Sequence, residues 1–202
     1  EHLRSLRRVE LATSKQKGRS KKSRALVTGA SGFLGLHLVR TLLEQGVEVR
    51  SLGRRHSESL SALGVDQKIG SVLDGAECAS ALAGVNSVYH LAGMVSRKPE
   101  DASDMYTIHV QGVRTILEAS REAGIDDVLV VSTSGTIGVS EKPDFHADEE
   151  AEVPWSLIGR WPYYESKAFA EKEVARFVKE GLPVRMVRPS LLLGPGDVRG
   201  GS

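Results

Sequence analysis

From Arg24 onward, short apolar runs of β-type alternate with longer segments of helical period, and this alternation constrains the fold more than any other feature of the sequence. Strands are expected at residues 25–28, 47–52, 67–70, 87–91, 127–132 and 183–187, with helices near 33–45, 75–83, 104–123 and 163–179. Strand, helix and strand in succession bring the chain back in the same direction, so the pattern implies βαβ units and a parallel sheet with helices on both faces. The runs Ala25-Leu26-Val27 and Val128-Leu129-Val130-Val131 are continuously apolar, as strands buried on both faces must be.

The 202 residues suffice for one domain with a substantial core, and 40% hydrophobic with 26% charged residues excludes a wholly disordered chain. The net charge of +1 conceals an asymmetry. Residues 1–24 carry nine Lys/Arg against two Glu, and the remainder carries 18 Lys/Arg against 24 Asp/Glu. Residues 1–24 are therefore expected to form a basic extension or linker, with a short amphipathic helix through Leu3, Leu6, Val9 and Leu11, and 25–202 to form the domain proper. So short a basic run reads as solvated, and neither nucleic-acid nor membrane binding is expected. No apolar run approaches the length of a membrane span or a secretory signal, and the single cysteine, Cys78, excludes an internal disulfide. A cytoplasmic location is the expectation. The six histidines have no metal-ligand spacing, so no metal site is expected.

Thr28-Gly29-Ala30-Ser31-Gly32-Phe33-Leu34-Gly35 follows the first strand and opens the first helix. Gly29 allows the tight turn, Gly32 lets backbone approach a pyrophosphate, and Gly35 permits close packing of helix on strand. The helix N-terminus adds unpaired N–H groups and a positive dipole end, so Ser31, Phe33 and Leu34 join the glycines as a candidate dinucleotide-phosphate site. After the second strand, where an acidic residue would accept from an adenosine ribose, the chain reads Gly53-Arg54-Arg55. Arginine there can pair with a 2′-phosphate, so NADP(H) is favoured over NAD(H), with Arg54 as the first candidate and Arg55 as the second.

Tyr163 and Lys167 stand one helical turn apart and share a helix face. An ammonium beside a phenol favours the phenolate, which would lower the tyrosine pKa and make it a general acid/base. Before them, at the end of a buried strand, comes Ser132-Thr133-Ser134-Gly135-Thr136, where a hydroxyl could donate to a substrate carbonyl oxygen as charge develops on it. Connecting the two is the long acidic stretch 139–161, of a length that is more often functional than idle. Trp155, Trp161 and Tyr164 beside the helix serve equally as pocket lining or as ordinary packing, and His146 in the acidic loop reads as solvated.

In order and spacing, the turn 28–35, Tyr89-His90-Leu91-Ala92-Gly93, the strand end 131–138, the Tyr163/Lys167 pair and Arg188-Pro189-Ser190 with Gly194-Pro195-Gly196 resemble the extended short-chain dehydrogenases/reductases. The segments around Trp155 and Tyr163 look most like the dihydroflavonol-reductase-like branch, and the resemblance covers residues 25–197. It implies a Rossmann-type doubly wound sheet of strand order 3-2-1-4-5-6. It also implies a C-terminal substrate-covering region beyond Gly196, largely absent from this sequence. By the same resemblance Tyr163 is the proton donor or acceptor, Lys167 its partner and Thr133 the orienting hydroxyl, with Ser132 as the alternative. Leu91, Ala92 and Gly93 line the cofactor cleft, Ser71 and Val72 flank the adenine, and Pro189 and Ser190 lie near the nicotinamide.

Two departures from the family pattern stand out. His109 replaces an expected Asn, and Ser71 replaces an expected Asp. The activity implied is reduction of a small carbonyl, or oxidation of the alcohol. The alternatives are a nucleotide-sugar epimerase or dehydratase with retained NAD, and a non-catalytic dinucleotide-binding regulator. A homodimer through the helices at 104–123 and 163–179 is a further implication.

Overall fold

The computed structural model describes residues 23–197. Six parallel strands form one sheet: β1 (Arg24–Thr28), β2 (Glu48–Gly53), β3 (Asp66–Ile69), β4 (Ser87–His90), β5 (Val128–Val131) and β6 (Val184–Val187). Their order is β3-β2-β1-β4-β5-β6, the Rossmann-type order expected. The chain winds outward from β1 in one direction and then restarts at β4 on its other side, which opens a crevice at the carboxyl ends of β1 and β4. The expected element at residues 3–11 lies outside the described residues.

Side-chain alternation along the strands divides the core in two. Ala25 and Val27 of β1 face one layer, where α1 (Phe33–Glu44) and α2 (Glu58–Ala62) contribute Val39, Leu42 and Leu60. Leu26, between them, faces the other layer. There α3 (Gly75–Leu82), α5 (Gly112–Glu122) and α7 (Pro162–Lys179) bury Leu82, Ile116, Leu117, Val174 and Phe177 against Val88, Val128 and Val130. Sequence punctuation sets the helix starts. Asp74 accepts from the Glu77 N–H (3.0 Å) and caps α3, and Pro162 occupies the first turn of α7, where its missing N–H costs nothing.

The helix expected at 104–123 is observed with an interruption. It begins as α4 (Ala102–Tyr106), widens into a π turn over Thr107–Gln111 and resumes as α5. A π turn inserts an extra residue per turn and re-aims what it carries; here it carries His109, which is buried. The stretch 139–161 contains α6 (Trp155–Ile158), which seats Ile158 in the interior while most of residues 139–152 stay exposed. Among the described residues no helix is long and apolar enough to cross a membrane.

Candidate active site

The glycine turn lies at the crevice. Gly29 has φ of +70°, and a Cβ there would stand 2.7 Å from the Leu91 carbonyl carbon, so only glycine lets the ends of β1 and β4 come this close. The Gly32 N–H donates to the Gly29 carbonyl at 3.0 Å, closing the turn, and Gly32 caps α1. A Cβ on Gly35 would lie 2.2 Å from the Gly29 oxygen, which is the close helix-on-turn packing expected of that position. The first turn of α1, with Phe33, Leu34 and Gly35, has no acidic residue. Nothing there competes with an anion for the helix N-terminus.

Between this turn and the ends of β2 and β3 lies a hollow of about 40 Å³, bordered by Gly29, Ser31, Gly53, Arg55, Gln67 and Lys68. Both arginines are exposed; Arg55 lines the hollow and Arg54 does not. Lys68 was not singled out from sequence. Its place follows from the register of β3 on β2, which pairs it with Leu52 just before the turn after β2. Its ammonium sits 3.9 Å from Asp66. Ser71 is drawn into the start of α3, its N–H donating to Glu77 (2.7 Å) and its hydroxyl accepting from Leu73 N–H (3.1 Å). Val72 is buried against Gly112.

Across the crevice, the Leu91 N–H donates to the Thr28 carbonyl (3.2 Å) and the Ala92 N–H to the Thr28 hydroxyl (3.1 Å). The Thr28 hydroxyl also bonds His90 Nδ1 (2.9 Å). His90 is fully buried, and burial with repulsion from Lys167 pushes its pKa down to about 3. Gly93 follows, and a Cβ there would stand 3.2 Å from His109 Nε2 and 3.5 Å from the Lys167 ammonium.

Tyr163 and Lys167 project from one face of α7 into this region. Lys167 donates to the Val131 carbonyl (3.0 Å), and burial lowers its pKa to about 8 against the pull of Glu171. The phenol behaves differently from the sequence expectation. Burial is the largest influence and raises the Tyr163 pKa above its ordinary value, Tyr164 adds to the rise, and a hydrogen bond from Thr133 opposes it. The expected lowering by Lys167 is corrected: the ammonium is committed to a strand carbonyl, and desolvation of the phenolate outweighs what charge is nearby.

The structure also separates the two candidate hydroxyls. Thr133 faces the Tyr163 phenol, whose pKa it draws down, and accepts from the Gly135 N–H (3.3 Å). Ser132 is buried and donates to Glu171, away from the phenol. Glu171 also accepts from the Thr136 hydroxyl (2.9 Å) and from the partly exposed Arg188 (2.8 Å), forming a network centred on the buried carboxylate. That network ties α7 to the segment after β6, where the Pro189 carbonyl accepts from Ser134 N–H (2.9 Å) and Ser190 is exposed. Tyr164 lies over Gly135, where a Cβ would be 2.1 Å from its ring, and half-exposed Trp161 meets Tyr164 edge-to-face at 6.0 Å. Trp155 packs instead on Phe169 (5.1 Å) beneath the Lys172 ammonium (3.9 Å). His146 is exposed, near the Asp144 carbonyl. Among the described residues no cluster of His, Cys, Asp or Glu could hold a metal ion.

Residues 25–201 match the model of the NAD dependent epimerase/dehydratase family. The chain is 35% identical over 179 residues to sterol demethylase protein B of Methylococcus capsulatus, covering 86% of this chain and 53% of that protein. It is 29% identical over 198 residues to the dihydroflavonol 4-reductase of Zea mays, covering 88% and 55%. Among solved structures it resembles the Thermus thermophilus UDP-glucose 4-epimerase complex with NAD, with a TM-score of 0.72 and 27% identity over 82% of this chain and 54% of that one. The chain spans about half the length of the curated relatives it matches.

Proposed function

This chain belongs to the NAD dependent epimerase/dehydratase family, and from that premise we propose that it is the dinucleotide-binding half of an NADP(H)-dependent oxidoreductase that interconverts a small carbonyl and its alcohol. One observation carries the reading: the Tyr163 phenol, the Thr133 hydroxyl and the buried Lys167 ammonium converge at the carboxyl end of β5, beside the crevice that the glycine turn opens.

The turn fits a dinucleotide. Gly32 would meet only the Gly29 oxygen if it carried a Cβ, so the backbone is open to a pyrophosphate, and the N-terminus of α1 points its N–H groups the same way. Gly29, Ser31, Gly32, Phe33, Leu34 and Gly35 hold the phosphates. Arg55, with Lys68 across the hollow, pairs with a 2′-phosphate, and Arg54 stands outside as a longer-range charge. Leu91, Ala92, Gly93, Pro189 and Ser190 border the nicotinamide half, and Ser71 and Val72 the adenine. When bound, the nicotinamide supplies or accepts the hydride.

The remaining chemistry belongs to the protein. Tyr163 gives its proton to the carbonyl oxygen during reduction, a role for which a phenol held in its protonated form by burial is suited. Thr133 donates to the same oxygen, stabilising the charge that develops before the proton arrives. Lys167, anchored on the Val131 carbonyl with its pKa lowered by burial, would hold the cofactor ribose with its remaining donors. Ser132 serves the Glu171 network and leaves the chemistry to Thr133.

The test is titration of the protein with NADPH and NADH, followed by a carbonyl panel on wild type and Tyr163→Phe. NADPH should bind at least about tenfold tighter, the worth of one charge-assisted contact. Tyr163→Phe should lose about 10²–10⁴-fold in turnover with dinucleotide binding intact. Tighter NADH binding sinks the role of Arg55, and undiminished turnover in Tyr163→Phe sinks the role of the phenol. Likeness to an NAD-bound epimerase supports a second reading, a nucleotide-sugar epimerase or dehydratase. NAD surviving purification, with sugar nucleotides converted without net NADPH use, would select it.

A further inference from the structure

His109 connects both walls of the crevice. The Met94 N–H donates to its Nε2 at 3.0 Å, so that nitrogen carries no proton. The proton therefore sits on Nδ1, which donates to the Ser166 hydroxyl at 2.9 Å. Ser166 in turn donates to the carbonyl of Tyr163 at 3.0 Å. The chain of bonds runs in one direction, from the segment after β4, through an imidazole, to the first turn of α7. It fixes the tautomer with no alternative that satisfies every donor.

From this geometry we infer that His109 is a positioning residue: a neutral Nδ1–H imidazole that sets the distance between the Gly93–Met94 segment and the turn of α7 presenting Tyr163. The inference deepens the proposed function and rests on it for the role of the phenol. The ring's surroundings keep it neutral. Burial dominates a fall in its pKa to about 3, the Lys167 ammonium from α7 adds to it, and His90 from β4, itself held neutral by burial, faces it without charge. Tyr163 covers its side edge-on, with ring centroids 5.7 Å apart. A ring held neutral and bonded at both nitrogens is a strut and does not pass protons.

Its placement also explains the π turn. A regular helix through residues 102–122 would carry position 109 at a different angle, and the widened turn over Thr107–Gln111 brings the imidazole between the two segments. Gly93 completes the fit, because a Cβ there would stand 3.2 Å from His109 Nε2 and crowd the Met94 bond.

Nitrogen-15 NMR of the histidines, hydrogen exchange at Met94 and kinetics of position-109 variants together test this. In wild type, Nδ1 of His109 should be protonated and Nε2 bare from mildly acidic to mildly basic solution. His109→Phe keeps the ring and loses both bonds. Met94 amide protection should fall, and kcat should drop about tenfold, the worth of one lost hydrogen bond, with KM for the carbonyl little changed. His109→Gln, which can accept from Met94 and donate to Ser166, should restore most of both. Ser166→Ala added to His109→Phe should cost little more, since both cut the same connection. A proton on Nε2, titration of His109 near the ordinary histidine value, or equal kcat in wild type, His109→Phe and His109→Gln would each overturn the inference. Tyr163→Phe separates the two readings. If it kept full turnover while His109→Phe still lost Met94 protection, the phenol's role would fall and the strut would stand.

Discussion

Replacing Lys167 by methionine probes the electrostatics of the site independently of turnover. Burial lowers the Lys167 pKa from 10.5 to about 8, with Glu171 pulling the other way. That fall corresponds to about 3 kcal/mol of stability lost wherever the amine is charged in both folded and unfolded chains. Between pH 10.5 and about 8 the unfolded chain holds a proton that the folded chain has released. Stability from this group is therefore full above the unfolded pKa and is lost as pH falls through the folded one. Methionine keeps the apolar stem and removes the charge. The stability difference, wild type minus Lys167→Met, should grow in favour of wild type by about 3 kcal/mol as pH rises across that window. Loss of the bond to the Val131 carbonyl adds a roughly constant offset of about 1 kcal/mol and leaves the slope unchanged. His90 and His109, both near 3, stay neutral throughout and do not contribute. Urea unfolding of the two proteins at several pH values reads the difference and cancels the other titrating groups. A difference that is flat across the window, or that falls with pH, refutes the account of Lys167 as an amine forced against its burial.

Gly35→Ala places a methyl 2.2 Å from a backbone oxygen, so α1 must move off the turn; a loss of about 1–3 kcal/mol in thermal unfolding and weakened dinucleotide binding are expected. Glu171→Gln leaves Arg188 without its counter-charge. Its cost in urea unfolding should lie near the lower end of about 3–5 kcal/mol, because the Arg188 side chain is 22% exposed. Phe177→Ala opens a cavity in the α5–α7 layer, far from the glycine turn in sequence, and should cost about 3–5 kcal/mol while leaving dinucleotide affinity intact below the melting transition.

What the sequence determined by itself is what short-range physics controls. The period of apolar residues specified strands and helices, their alternation specified a parallel sheet, and the spacing of Gly29, Gly32 and Gly35 marked the turn. The one-turn separation of Tyr163 and Lys167 put both on one face of α7 because helix geometry leaves no other choice. Contacts between distant segments were decided only by the tertiary structure. Ser132 and Thr133 are neighbours of similar chemistry, and they part company because Glu171, 39 residues from Ser132, claims one of them. Arg55 lines the hollow and Arg54 does not, a matter of where the backbone turns after β2. The tautomer of His109 follows from an acceptor role toward Met94 and a donor role toward Ser166, 57 residues away. The direction of the Tyr163 pKa shift, opposite to expectation, is a balance between desolvation and hydrogen bonding. Local pattern sets the path of the backbone; the partner and dielectric surroundings of a buried polar group depend on which remote segments close over it.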